Sequence, residues 1–133
     1  MAFYKIILVG IGGAIGSILR FLIQTNLTQA YTFPFATIIV NITGSLVLGL
    51  LTGFLVHNRE KEWLKLSLGV GFCGGFTTMS TLAADIFYLT SNSIWPMVAY
   101  LFFTLLGGIG LGLAGYVFGN KLGEQFIFKK EVN

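Results

Sequence analysis

Charge is what this sequence has least of. Lys, Arg, Asp and Glu together make up 10% of its 133 residues, against 55% hydrophobic residues. A soluble domain of this size carries about a quarter of its residues as charges. A water-facing surface is therefore excluded, and a single integral membrane domain is expected. Asp85 is the one acidic residue inside any apolar segment. No pair of carboxylates is available for acid–base chemistry, and no nucleophile–base–orienter set can be assembled. There is a single histidine, His57, and a single cysteine, Cys73, which rules out an internal disulfide and a cysteine-based metal cluster. Cys73 reads as a small buried hydrophobe, and His57 as an interfacial residue without ligand-spaced partners. The glycines do not follow a strand and open a helix as a nucleotide-binding fingerprint requires. An enzyme is not expected. The first apolar segment is long, carries Arg20 and is followed by three more, so it reads as a span and not as a signal peptide.

What is present is organised around Gly69–Asp85, GVGFCGGFTTMSTLAAD. Apolar sequence approaches this stretch from both sides. Its centre is Gly74-Gly75, followed by Thr77, Thr78, Ser80 and Thr81. It is too apolar for a surface loop and too rich in glycine and hydroxyls for a plain membrane helix. Free backbone groups at membrane depth are tolerated only where protein or water satisfies them. A helix broken there marks an ion or substrate site. The plainer reading is a kinked helix whose hydroxyls bond their own preceding carbonyls.

Four spans are expected, over about 4–26, 35–56, 64–89 and 94–119. In the first, Gly12/Gly16 and Gly13/Ser17 are small-residue pairs four apart, the spacing that lets helices approach closely in lipid. Arg20 lies towards the far end of that span. It either snorkels to the interface as an anchor or places a positive, multi-donor group at the mouth of an anion path. Pro34 could sit at the start of the second span. Asn41 is unusually deep for an amide; it either bonds a neighbouring helix or donates its NH₂ to an anion in a pore. Ser45, Gly49 and Gly53 form a small stripe, read as a packing face. In the fourth span Gly108/Gly112 and Gly115/Gly119 make two further close-packing pairs. Asp85 is read as capping, pairing or facing water near a helix end.

Seven of the eight Lys and Arg residues lie on one side of this topology: Lys5, then Arg59, Lys61 and Lys65, then Lys121, Lys129 and Lys130. The two opposite loops carry none. The positive-inside rule then places both termini in the cytoplasm. Four spans make a thin bundle, and its glycine faces suggest packing against another subunit.

At this point the residues resemble a family. GGAIGSILR (Gly12–Arg20), FATIIVNITGSLVLG (Phe35–Gly49) and GFCGGFTTMSTLAAD (Gly71–Asp85) are similar to the first-, second- and broken third-helix motifs of the small bacterial fluoride-channel family, often called Fluc or CrcB. The resemblance covers nearly the whole chain. It implies an all-α membrane protein with the third helix broken at mid-membrane, forming an antiparallel, dual-topology dimer with two narrow fluoride pores. It implies a central Na⁺ held by the backbone carbonyls of Gly74 and Thr77. Asn41 would match the pore-lining amide, Arg20 the vestibule arginine, and Ser80 and Thr81 the hydroxyl track beside the pore.

Three departures from that pattern stand out. Met79 and Leu82 occupy the pore-lining positions where the family typically carries two phenylalanines, whose electropositive ring edges can face an anion. Gly108 and Gly112 align with positions at which many members of that family carry hydroxyls. The charge bias is strong, whereas a homodimer of opposite orientations needs a weak one. Together they make the chain resemble one half of a heterodimer, with a partner that supplies the phenylalanines and inserts the other way. Two other function classes compete. A small four-span multidrug transporter would want a carboxylate deep in its first span, which is missing. A noncatalytic structural or assembly subunit would not need Asn41, Arg20 and the Gly74–Thr81 break. A proton-coupled exchanger would have to use Asp85. Fluoride, membrane lipid and a second family subunit are the expected partners, and nucleic acid is not.

Overall fold

The computed structural model describes residues 2–30, 32–56 and 61–132. His57, Arg59 and Glu60 lie outside them. The elements are α1 (Ala2–Ala30), α2 (Phe35–Val56), α3 (Glu62–Leu64), a π-helical segment (Lys65–Cys73), α4 (Gly74–Phe76), α5 (Ser80–Asn92) and α6 (Ile94–Val132). Four stretches are long and apolar enough to cross a membrane: Phe3–Leu27, Phe35–Val56, Glu62–Ser91 and Ile94–Phe126. The third is interrupted between Phe76 and Ser80, where Thr77 turns extended at φ −76° and ψ 158°. The chain is thus a multi-pass all-α membrane protein with a bent third span.

The helices run longer than hydropathy alone implies. α6 continues to Val132 instead of ending near residue 119; its 39 residues span about 58 Å, roughly twice the hydrocarbon thickness. The extension is held at its side: Phe126 packs on Phe54 with ring centroids 6.0 Å apart, and Lys61 Nζ lies 5.3 Å from the Phe126 centroid and 5.6 Å from that of Phe54. Ser93 alone separates α5 from α6, so the expected polar turn over 90–93 shrinks to one extended residue. Pro34 directly precedes α2, where its missing N–H costs the helix nothing.

Large apolar side chains face outward along every span, as expected where lipid is the solvent. Cohesion between helices comes instead from backbone-to-backbone contact. α2 packs chiefly on α6, and α1 on the segment 65–76. On α2, a Cβ added at Gly49 or Gly53 would collide with the carbonyl of Gly112 or Tyr116. From the other side, one at Gly115 would stand 2.5 Å from Leu46 O, and one at Gly119 would strike Leu50 O. Gly12 and Gly16 meet the Ser67 and Phe72 carbonyls in the same way. Gly108 and Gly112 are looser: a Cβ there would meet Ser45 Oγ at 3.5 Å and Ser45 O at 3.6 Å. No described glycine has positive φ, so these residues serve close approach and not turning.

A compact side-chain cluster of buried residues joins α5 to α6. Leu82, Leu89 and Tyr100 are buried there, packed on Phe33, Ile38, Ile86, Met97 and Leu101. This cluster fixes the tilt of α5 against the α2–α6 pair and so sets the geometry of the break.

Candidate functional site

The break is built by one side chain of α2. Asn41 Nδ2 donates to Thr78 O at 2.9 Å, and Thr78 N donates to Asn41 Oδ1 at 2.7 Å. An amide has one donor end and one acceptor end side by side, so it can occupy both polar groups of a residue that has left its helix. The Thr78 hydroxyl organises the restart of the helix. It accepts the N–H of Thr81 at 3.2 Å, lies 3.1 Å from Thr81 Oγ1, and is 3.2 Å from Ser80 Oγ. It therefore caps the first turn of α5. Thr77 closes the preceding helix, its N–H and its hydroxyl both bonding Cys73 O, at 3.0 and 2.9 Å.

This arrangement changes which carbonyls are spoken for. In an unbroken helix Gly74 O would accept from Thr78 N, and Thr77 O from Thr81 N. Both donors are redirected, to Asn41 Oδ1 and to Thr78 Oγ1. Gly74 and Thr77 also line a cavity of about 290 Å³ with Lys65, Thr52 and Cys73. The redirection releases both carbonyl oxygens from their helical bonds. Among the described residues no group of three or more His, Cys, Asp or Glu could hold a metal. The opposite lip of the break is the N-terminus of α5, whose N–H groups favour negative charge.

A larger cavity of about 590 Å³ lies between α2, α6 and the break. Asn41, Met79 and Leu82 line it, together with Thr77, Thr78 and Thr104. Ser80 and Thr81 do not; their hydroxyls turn towards Thr78. Met79 is 70% exposed, while Leu82 is only 5% exposed and belongs chiefly to the α5–α6 cluster. Gly108 and Gly112 form part of the α6 wall, with Ser45 and Gly49 facing them from α2. Among the described residues Tyr116 is the sole titratable one of the lining.

Arg20 is half-buried and reaches the break from α1, its Nε donating to Gly75 O at 3.1 Å. No other hydrogen bond of its guanidinium is made to the described residues, which leaves N–H groups able to meet an anion. Asp85 is paired. Thr37 Oγ1 and Tyr100 OH both donate to its Oδ2, at 2.7 and 2.8 Å. Sequence reading did not find Thr37 or Tyr100 as its partners. Nothing local to either residue marks it: Thr37 lies 48 residues and Tyr100 15 residues from Asp85 in the chain.

Comparison with known proteins gives a consistent answer. The family described as CrcB-like protein, Camphor Resistance (CrcB), matches residues 7–116. The chain is 50% identical over 122 residues to the fluoride-specific ion channel FluC 2 of Halalkalibacterium halodurans, covering 91% of this chain and 90% of that protein. It is 43% identical over 112 residues to the FluC 2 of Bacillus licheniformis, with 84% of each chain covered. It is 40% identical over 120 residues to the FluC of Gloeobacter violaceus, covering 87% of this chain and 96% of that one.

Proposed function

The chain belongs to the CrcB-like family, and from that membership we propose that it is a subunit of a passive fluoride channel that releases fluoride from the cytoplasm. The observation that carries the reading is 50% identity, over 91% of the chain, to a protein named as a fluoride-specific ion channel. The geometry supports it. Fluoride is small and strongly hydrated, so a path must replace its water with N–H and O–H donors. Asn41 keeps one N–H beyond its bond to Thr78, and Arg20 keeps its terminal groups. Among the described residues no carboxylate or histidine lines the larger cavity, so none of them there would couple transport to protons. Asp85 is held by two hydroxyls and lies outside that lining.

The same break would hold Na⁺ through the carbonyls of Gly74 and Thr77. That ion, when bound, supplies positive charge that lowers the cost of anions nearby. Two oxygens are too few for Na⁺ alone, and a second subunit in the opposite orientation would contribute two more around a shared axis. Met79 is exposed at the break and has no ring edge to offer an anion. Seven of eight basic residues lie at one end, which favours a single orientation with both termini cytoplasmic. These two features favour a heterodimer with an oppositely inserted family member over a homodimer.

Fluoride efflux from liposomes tests the reading. Fast efflux that ignores a proton uncoupler is expected from the assembled channel. Efflux from this chain alone would remove the heterodimer, while efflux only with a co-expressed family member would establish it. Absence of fluoride flux in both preparations would overturn the channel reading.

A further inference from the structure

α2 carries four hydroxyl side chains, Thr37, Thr43, Ser45 and Thr52. Three have their proton placed: Thr37 on Asp85 Oδ2 at 2.7 Å, Thr43 on Ile39 O at 2.6 Å, and Thr52 on Leu48 O at 2.7 Å. Ser45 makes no hydrogen bond among the described residues. It is half-buried, sits in the middle of α2 and lines the 590 Å³ cavity. A hydroxyl at membrane depth normally bonds its own preceding turn, because lipid offers no alternative. One that does not is oriented for something else.

The other polar groups of the cavity are mostly spent. Thr77 bonds Cys73 O, Thr78 caps α5, and Thr104 donates to Tyr100 O at 2.7 Å. Three side-chain donors remain along the lining: the second N–H of Asn41, the Ser45 hydroxyl and the Tyr116 hydroxyl. Ser45 is one turn from Asn41, about 6 Å along the axis. The Tyr116 backbone meets α2 between Gly49 and Gly53, one to two turns further on at about 6–12 Å. Ser45 thus stands between Asn41 and Tyr116 along a lining whose other hydroxyls, those of Thr52, Thr77, Thr78 and Thr104, are already engaged. The wall opposite is notched to receive it. A Cβ at Gly108 would stand 3.5 Å from Ser45 Oγ, so the space an α6 side chain would fill is the space the hydroxyl faces.

We propose that Ser45 is an anion-donating residue of the fluoride path, its hydroxyl working from α2 across the notch left by Gly108. The inference rests on the channel reading above and adds to it a donor that the packing-stripe interpretation of Ser45, Gly49 and Gly53 overlooks. The hydroxyl that α6 lacks at Gly108 is supplied from the facing helix.

The test is fluoride efflux from the conducting preparation, with detergent melting temperature measured in parallel. Ser45→Ala should lower flux about tenfold, the worth of one hydrogen bond to a charge, with little change in melting temperature. The double variant Ser45→Ala with Gly108→Ser restores a hydroxyl from the opposite wall and should recover flux to within about threefold of the parent. A merely structural Ser45 would not be rescued in this way. Should Ser45→Ala fail to fold, Gly108→Ala reads the same point, because its methyl group covers the hydroxyl and should lower flux similarly. Parental flux in a folded Ser45→Ala, or in Gly108→Ala when Ser45→Ala does not fold, overturns the proposal. So does a folded double variant no better than Ser45→Ala. A parent without fluoride flux would overturn the channel reading itself, which keeps the two failures apart.

Discussion

Asn41 holds Thr78 by both ends of its backbone, through bonds of 2.9 Å and 2.7 Å that join positions 37 residues apart. One amide thereby does for a single residue what a neighbouring strand does for a sheet edge. It lets the third span break inside a membrane without leaving an N–H and a C=O exposed to lipid.

Replacing Asn41 should therefore damage the fold as well as the path. Asn41→Ala leaves two backbone groups unsatisfied, at about 1–3 kcal/mol each. A clear fall in detergent melting temperature and near-complete loss of fluoride flux are expected. A variant that melted like the parent would show that Thr78 finds other partners.

The glycine contacts divide into those with room and those without. Gly49→Ala should destabilise the α2–α6 pair by about 1–3 kcal/mol, since its Cβ would collide with the Gly112 carbonyl. Gly112→Ala should be near neutral, because its Cβ has ordinary contacts at 3.6 Å or more. Gly110→Ala, with nothing within 4 Å, serves as the control. Thermal stability of the three in one detergent checks the order.

Asp85 with its two hydroxyl donors should behave as one unit. Tyr100→Phe and Thr37→Val each remove a bond to the carboxylate, at about 1.5–3 kcal/mol apiece. Because they share the oxygen Oδ2, the double variant should depart from the sum of the singles by about 0.5–3 kcal/mol. A double-mutant cycle on melting reads the coupling. Strict additivity would show the two bonds to be independent.

Met79 and Leu82 should respond oppositely to phenylalanine. Met79 is 70% exposed, so Met79→Phe should leave stability within about 0.5 kcal/mol of the parent. Leu82 is 5% exposed inside the α5–α6 cluster, and Leu82→Phe should cost about 1–3 kcal/mol through overpacking. If the missing rings are what prevents self-sufficiency, Met79→Phe should also raise flux from the chain assayed without a partner.

Much of the fold is legible in the residue order. Spans of twenty or more apolar residues with charges only at their ends leave few alternatives, and GVGFCGGFTT announces the interruption. The depth of Asn41 and the singularity of Asp85 single them out in the sequence, with Asn41 open between a neighbouring helix and an anion, and Asp85 between capping, pairing and facing water. Their partners were not legible. Thr78 and Thr37 are ordinary hydroxyl residues in sequence, and nothing local to Thr37 says that it faces Asp85 48 residues away.

The sequence by itself determined that this chain crosses the membrane four times, that its third crossing is irregular, and that its charges lie at the ends of its spans. Those properties follow from transfer free energies and backbone satisfaction, which are sums over neighbouring residues. Only the tertiary structure decided that Asn41 spends both ends of its amide on Thr78, that Arg20 ties down Gly75, that Gly49 meets a carbonyl while Gly112 has space, and that Ser45 is left with a free hydroxyl opposite Gly108. Each of these depends on how α1, α2 and α6 are rotated and staggered against one another. That rotation is set by where backbones can touch at glycine, a pairwise fit that no single segment encodes.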